Sequence, residues 1–513
     1  MPCSQPFDPK GLDRYTRGMP EKTPTRTAGG ASKTSRKKTA SVETEPTSDF
    51  SAKGSDSSTL VMPNITNYTN AVKWLMGRTN LERLRVVHYN EETFKLDRMR
   101  ALLEVLGNPQ EQFRAIHIAG TNGKGSTAAM ISAMLRNCGY AVGQFTSPHL
   151  VDIRERISVN GSDISRADFA ELMKRVANAS VEIDIDPTFF EAITAIGFLY
   201  FAEQAVDVGI VECGLGGRLD STNVIMPVLS VITRIQLDHT KLLGNTVEKI
   251  AAEKAGILKP GVPAITLQQD ESVEQVLADA AEQVGTTMRV VNKDVEFSSR
   301  FCSTEELGPH TRVCLYTGTS RLEHLPVPLP GEHQAHNCGV ALAAVDHLKS
   351  IGFDCPEEIV TAGLSETKIK GRMDLIWEQP RILVDGAHNP EALGALMRCV
   401  GSHVPYDSMV CIFGCAQDKD VDKLLERVNL GADKVIFTTV TGSARACDPE
   451  DLRRRFVEQS GKMCQVASDV KEAIKLATHA VSREDLICVT GSFQIVGETI
   501  KYINAVKKEQ ARS

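Results

Sequence analysis

A chain of 513 residues, 42% hydrophobic and 24% charged, has the make-up of a soluble globular protein with room for two or three domains. No stretch comes near the ~18 consecutive apolar residues of a membrane span, so no membrane association is expected. A formal net charge of -7 argues against a nucleic-acid partner.

Residues 1–59 stand apart from the rest. They are rich in Ser, Thr, Gly and Pro, nearly free of large aliphatic side chains, and carry ten Lys/Arg against seven Asp/Glu, a net +3 that leaves -10 for the remainder. Such a segment cannot bury enough apolar surface to offset its chain entropy and reads as a disordered tail. Its acidic residues and lack of an amphipathic stripe count against a transit peptide.

From about Ala115, short β-rich runs alternate with longer amphipathic ones. Ala115–Ile118 reads as a strand and Ser126–Asn137 as the helix directly after it. Ala141–Phe145 is a strand, Phe189–Gln204 has helical spacing, and Val208–Val211 and Val228–Thr233 are strands. Thr246–Leu258 reads as a helix capped by Thr246 and ended by Pro260-Gly261. Residues 262–330 read as the sheet's continuation plus a small antiparallel extension. A second alternating series begins near Arg381, with RILVDG, MVCIFG, KVIFTTV and LICVTG as strands. Helices are expected between them around Pro390–Val400, Val421–Val428, Pro449–Gln459 and Val470–Ala480.

Alternation of this kind implies mostly parallel sheets covered on both faces. The predicted class is therefore α/β. A P-loop-type, mostly parallel sheet domain over 60–369 is followed by a smaller, doubly wound, Rossmann-like domain over 370–513. The join falls near Thr367–Arg372, where KIKGR is polar and carries a glycine. The thirteen cysteines are scattered with no C-x-x-C pair, and some, such as Cys213 in IVECG and Cys488 in LICVTG, lie in apolar runs. Reduced thiols of a cytoplasmic protein fit this pattern better than disulfides or a zinc site.

His117–Thr127 reads HIAGTNGKGST. The ordinary phosphate-loop pattern G-x-x-x-x-G-K-[ST] wants glycine where this chain has Ile118, and Ser or Thr where it has Gly125. The context still favours phosphate over a plain turn. The loop follows a strand and opens a helix, where backbone N–H groups and the positive end of the helix dipole attract anions. Gly120, Gly123 and Gly125 let the backbone wrap an anion, Lys124 can meet the β and γ phosphates, and Ser126 adds a hydroxyl. In an open parallel sheet, ligands sit beyond the carboxyl ends of the strands. Those ends carry Thr146-Ser147-Pro148, Glu212, and Asp238-His239. Ser147 and Glu212 suit Mg²⁺ beside nucleotide phosphates, and His239 can complete a second nearby site. Taken singly, Glu212 reads as a surface or capping carboxylate and His239 as a core histidine; their shared placement favours the site.

Seven ordered motifs, GTNGKGS, TSPHL, RERISVNG, VECGLGGRLDSTN, LDHTKLLG, AAEKAGI and ILVDGAHNP, resemble folylpolyglutamate synthase, and within it the bacterial type that doubles as dihydrofolate synthase. Both belong to the ATP-dependent Mur ligase superfamily, whose loop is GT-x-GKG-[ST], so the misfit is a variant and not a defect. The resemblance runs from about Tyr68 to Lys501. It departs at Lys370, where the family often has Pro before Gly371-Arg372, and around LPGEHQAHN, which keeps Asn337 but varies beside it.

The resemblance implies an amide ligase that phosphorylates a folate or dihydropteroate carboxylate with ATP and then joins it to L-glutamate. It makes Lys124, His239 and Lys254 the catalytic group. Gly123, Lys124, Gly125, Ser126, Asn337, Arg372, Asp385 and His388 are the ATP contacts. Two Mg²⁺ ions are expected on Ser147, Glu212, His239 and Lys254, the lysine being carbamylated by CO₂ in this superfamily. Thr188, Phe189, Phe190 and Glu191, with Leu219, Asp220 and Ser221, are the expected substrate wall. The aromatic pair can stack on a flat ring or simply pack in the core. Arg372 and Asp385 alone would read as a surface arginine and a helix cap. A monomer is expected. Rival readings are a Mur-type ligase acting on another acid, a nucleotide-switched binding module, and a degenerate scaffold.

Overall fold

Strand β1 (Arg114–Ala119) is buried from Ala115 onward, as expected for a central strand with helices on both faces. The computed structural model describes residues 64–80, 96–440 and 442–512; the expected tail over 1–59 lies outside them. With β1 the first sheet contains β2 (Val142–Phe145), β3 (Ile157–Val159), β4 (Ser162–Asp163), β5 (Val208–Glu212), β6 (Leu229–Ile232), β7 (Ala264–Leu267) and β8 (Met288–Val291). Their order is β4-β3-β2-β5-β1-β6-β7-β8. Neighbours from β2 to β8 are parallel, and β3 and β4 add an antiparallel edge.

The helices of this part are α1 (Tyr68–Met76), α2 (Leu96–Val105), α3 (Lys124–Asn137), α4 (Arg166–Glu182), α5 (Phe189–Glu203), α6 (Thr240–Leu243), α7 (Val247–Ala255), α8 (Glu271–Val284), α9 (Glu332–Ser350) and α10 (Glu357–Ser365). Alternate residues of each strand serve opposite faces. Ile116 and Ile118 pack with α3, α9 and α10. Ala115 packs with α1, α2, α4 and α5, and Ala119 with α7 and α8. A three-stranded antiparallel sheet, β9 (Glu296–Thr304), β10 (Gly308–Tyr316) and β11 (Arg321–Pro326), lays Phe297, Val313, Leu315 and Leu322 onto the α9 side of that core.

The second sheet contains β12 (Asp374–Glu378), β13 (Arg381–Val384), β14 (Met409–Phe413), β15 (Lys434–Phe437), β16 (Gln465–Val466) and β17 (Leu486–Thr490), in the order β12-β13-β17-β14-β15-β16. All neighbours are parallel except β12, an antiparallel edge. Helices α11 (Pro390–His403), α12 (Val421–Gly431) and α13 (Pro449–Ser460) share a core with Leu383, Cys411, Phe413 and Phe437. Helices α14 (Val470–Ala480) and α15 (Phe493–Gln510) pack against β14 and β17. Both α/β sheets and the antiparallel extension match the expectation from sequence.

Two local readings are corrected. The helix expected over Thr246–Leu258 stops at Ala255, with Gly256 after it, well short of Pro260-Gly261. The reason is tertiary: the loop after β5 captures the helix's last carbonyls, through Arg218 N–H to Glu253 O at 2.8 Å and Asn223 Nδ2 to Gly256 O at 2.9 Å. Within 262–330 the chain also forms α8, whose narrow buried stripe of Val273, Leu277 and Ala281 lies among acidic residues. The cysteines described are all free thiols. Among the described residues no helix is long and apolar enough to cross a membrane.

The carboxyl ends of the two sheets face a common cleft, lined by Gly120, Ser147 and Glu212 on one wall and by Asp385, Gly414, Thr438 and Gly491 on the other. Helix α15 comes so close to the 146–152 loop that a Cβ on Gly497 would lie 1.9 Å from the Leu150 carbonyl oxygen. Backbone cannot yield as a side-chain tip can. Gly497→Val is therefore expected to cost roughly 1–3 kcal/mol of overpacking, measured by urea unfolding; unchanged stability would refute this close approach.

Candidate active site

The glycine loop leaves β1 and ends at Gly123, the residue before α3, with φ 94° and no side-chain cap. An uncapped α3 start presents its first N–H groups and its positive dipole end to the cleft. Gly123 is required twice over. Its φ is left-handed, and a Cβ there would lie 2.2 Å from Asn337 Oδ1. A Cβ on Gly125 would lie 3.6 Å from Glu212 Oε2, so the position that carries Ser or Thr in the ordinary pattern here faces a carboxylate. Lys124 Nζ folds back onto the Gly120 carbonyl at 3.1 Å and lies 3.8 Å from Glu212 Oε1.

Glu212 closes β5 and is buried, and that burial raises its carboxyl pKa against the lowering pull of Lys124 and the Ser147 N–H. The Ser147 N–H donates to Glu212 Oε2 at 3.4 Å. Buried Lys254, on α7, donates to the same Gly120 carbonyl at 2.8 Å. Burial first, and Lys124 next, lower its pKa from 10.5 to about 7. His239 precedes α6 at φ 49°, a left-handed conformation that costs a non-glycine residue roughly 1–2 kcal/mol. Its N–H donates to Asp238 Oδ1 at 2.8 Å. The protein packed around its imidazole lowers its pKa, as do Lys419 and Lys254, while Asp238 raises it. A third of the side chain still faces the cleft, which moderates the desolvation.

From the second sheet, Asp385 follows β13 and lies buried. It accepts from Met373 N–H at 2.9 Å and Ala387 N–H at 2.8 Å. Burial raises its pKa, and Arg372 opposes that. Arg372 stacks 4.8 Å over the Phe493 ring, and the His388 ring lies 5.3 Å from the same phenyl. His388 Nε2 lies 3.5 Å from Asp238 Oδ2.

Lys419, which sequence reasoning passed over, also ion-pairs with Asp238. Asn389 caps α11 through Ala392 N–H at 2.9 Å and donates to Asn122 of the glycine loop at 3.1 Å. An Asn-Pro pair before a helical run was its only signal; for Lys419 in GCAQDKD there was none.

The expected substrate wall is part of the cleft lining, but its side chains divide. Thr188 and Glu191 form the capping box of α5, and Glu191 also meets Arg98 at 3.3 Å. Phe189 is buried, with the Arg156 guanidinium 5.2 Å from its ring centroid. Phe190 keeps a half-buried ring, edge-on to Phe145 and over Gly214. Of the aromatic pair, only Phe190 thus retains an open face for a flat ring. Asp220 spends its oxygens within its own loop, on Leu215 N–H, Thr222 N–H and the Thr222 hydroxyl. Leu219 and Ser221 remain in the cleft wall. Fully buried Arg156, joined to His149 at 2.9 Å, is a cation that the motif reading left out.

Among the described residues no three His, Cys, Asp or Glu side chains gather into a metal cage. Ser147 and Glu212, joined by the Ser147 N–H, offer the oxygen atoms that a hard cation takes, and His239 lines the same cleft. Glu212 fits this role: it is a buried carboxylate lining the cleft, and Lys124, Arg372 and Arg156 all favour its charged form against burial.

Residues 118–345 match the Mur ligase middle domain, and residues 371–493 match the Mur ligase glutamate ligase domain. The dihydrofolate synthase/folylpolyglutamate synthase of Bacillus subtilis is 34% identical over 443 residues, 85% of this chain and 99% of that protein. A Mycobacterium tuberculosis folylpolyglutamate synthase complexed with ADP superposes with a TM-score of 0.75 at 31% identity, covering 85% of this chain and 98% of that one. E. coli FolC in complex with DHPP and ADP gives 0.74 at 28% identity, covering 86% and 99%. Gly123→Ala adds left-handed strain and a contact with Asn337, and about 1.4 kcal/mol is tenfold in affinity. Calorimetric titration with ADP should show at least about a tenfold loss; an unchanged Kd would remove the loop from the nucleotide site.

Proposed function

This chain belongs to the folylpolyglutamate synthase/dihydrofolate synthase family of Mur ligases, and from that premise we propose that it joins L-glutamate to the carboxylate of a folate, and to that of dihydropteroate, using ATP. It is an ATP-dependent acid–amino-acid ligase. The observation that carries this reading is a single cleft holding the glycine loop, Glu212, His239 and Phe190 together with Arg372, Asp385 and His388. Its volume of about 1700 Å³ exceeds the roughly 300–1,000 Å³ of an ordinary small-molecule pocket. A nucleotide and a second substrate fit side by side. All of these groups come from one chain.

A carboxylate does not react with an amine at neutral pH, because oxide is no leaving group. Attack of a carboxylate oxygen on the γ-phosphorus of ATP releases ADP and leaves an acyl phosphate. The glutamate amine then attacks the carbonyl carbon, loses a proton, and phosphate departs as the amide forms. Phosphoryl transfer depends chiefly on positioning and charge neutralisation. The open α3 N-terminus and Lys124 hold the phosphates on one wall, and Arg372 brings a planar cation from the other. Asp385 suits the ribose hydroxyls, and Asn337 lies against Gly123, where it can limit the nucleotide's position. Phe190 offers a flat face to the pterin or benzoate ring. Closure between the two walls excludes water from an acyl phosphate that water would otherwise destroy.

Mg²⁺ held by Ser147, Glu212 and His239 would add Lewis-acid charge beside the transferring phosphate. Lys254 is the group to carbamylate. Its amine is buried, lies beside the loop, and has an ordinary pKa lowered to about 7, so a neutral lone pair is available to attack CO₂. Loss of the proton leaves an anionic oxygen ligand next to the Glu212 and His239 donors.

Phosphate release that requires ATP, glutamate and either tetrahydrofolate or dihydropteroate is the direct test, and Lys124→Ala should reduce it by at least about 10³-fold with both acids. Turnover with neither acid would overturn the folate reading in favour of another acid substrate. Exposure to ¹³C-bicarbonate should add one carbamate resonance in the native enzyme and none in Lys254→Met; a label that survives the substitution would place the carbamate elsewhere.

A further inference from the structure

Asp238 is the point where the two walls of the cleft are joined. Its side chain is 7% exposed, and that of Lys419 is 9% exposed. Oδ1 accepts from the His239 N–H at 2.8 Å and pairs with Lys419 Nζ. Oδ2 accepts from Asn389 Nδ2 at 3.4 Å and faces His388 Nε2 at 3.5 Å. One carboxylate of the first α/β unit thus meets three side chains of the second. They come from two helix starts: His388 and Asn389 directly precede α11, and Lys419 precedes the Asp420 cap of α12. Side chains from two helix starts therefore converge on one buried anion. Asn389 also bonds Asn122, and Asn122 Nδ2 donates to Gln236 Oε1 at 2.7 Å. The same junction is tied to the glycine loop on one side and to the Asp238-His239 segment on the other.

We propose that Asp238 is a positioning residue of the ligase, clasped by Lys419, Asn389 and His388 to hold the cleft closed and to fix His239 in its left-handed conformation. The proposal rests on the ligase reading for its kinetic readout but not for its structural one. Exposed ion pairs contribute little, whereas a desolvated pair that loses one member leaves an uncompensated charge in the interface. With Lys419 gone, the anion loses the one lysine within salt-bridge distance among the described residues, and the second unit loses one of its holds on the first. Neither Asp238 nor Lys419 is assigned here to bond making or breaking. Their influence passes through the distance between the walls and the setting of His239.

The test uses the full chain and the variants Lys419→Met, Lys419→Arg, Asp238→Asn and the Asp238→Asn/Lys419→Met double variant. Lys419→Met is expected to lower kcat about 100-fold, since misplacement of about 1 Å between reacting groups has that effect, with the KM for ATP changed less than about threefold. Lys419→Arg keeps the cation and should restore much of the rate; a merely space-filling lysine would be replaced better by Met than by Arg. The double variant should fall short of the product of the single effects by at least about fivefold. Small-angle X-ray scattering with a non-hydrolysable ATP analogue reads closure without turnover. The native chain should contract on binding, and Lys419→Met should not.

Equal contraction in both, wild-type kcat in Lys419→Met, or multiplicative single effects would each overturn the clasp. Should Lys419→Met fail to fold, the scattering and kcat of Lys419→Arg and Asp238→Asn decide in the same way. A native chain that contracts with nucleotide yet turns over no folate would defeat the ligase reading and leave the clasp standing.

Discussion

Placing Glu212 in a dry position 3.8 Å from Lys124, at the end of a central strand, is the constraint from which the rest of the structure follows. Desolvation of such a pair is costly, and attraction in the interior only partly returns it. The fold bears that cost because strands β1, β5 and β6 are covered on both faces by apolar helices, each buried aliphatic or aromatic side chain contributing roughly 1.5–3 kcal/mol. Charge is therefore concentrated where the sheet ends and the helices begin. Lys124 and Glu212 lie 3.8 Å apart there, and Lys254 feels both Lys124 and Asp238. Such a place holds a polyanion and its counter-ions more readily than it holds nothing.

The second α/β unit answers the first with the same physics. Its parallel strands also direct their carboxyl ends at the cleft, so Asp385, Thr438 and the Gly491 turn oppose the glycine loop. Each wall carries its own parallel sheet and its own core. Contact between them includes the Asp238 junction, the Asn122–Asn389 bond, the glycine at 497 against the Leu150 carbonyl, and the Phe301 ring against His403 at 5.4 Å.

The substrate wall shows how one residue type serves two purposes. Phe189 and Phe190 are adjacent, yet one completes the core under Arg156 and the other faces Gly214 at the cleft. Thr188 and Glu191 hold the start of α5 in place and so position the ring that follows them. Asp220 likewise shapes its loop from within.

Local pattern in the sequence was enough for the alternation of strands and helices, for the phosphate loop ahead of α3, and for the placement of Ser147, Glu212 and Asp385 at strand ends. Apolar period and turn residues carry that information over a few neighbours, and motif order carried the family. What pattern could not supply were contacts between residues far apart in the chain. The end of α7 is set by Arg218 and Asn223, some thirty residues upstream. That Gly125 lies against Glu212 could not be read from the loop's own sequence. Lys419 and Asp238 are 181 positions apart and neither stands out alone. The sequence by itself determined most strands of the two sheets, many of their helices and the glycine turn ahead of α3, because those depend on nearest neighbours along the chain. Only the tertiary structure decided which charges are buried against which, because that depends on two sheets meeting end to end.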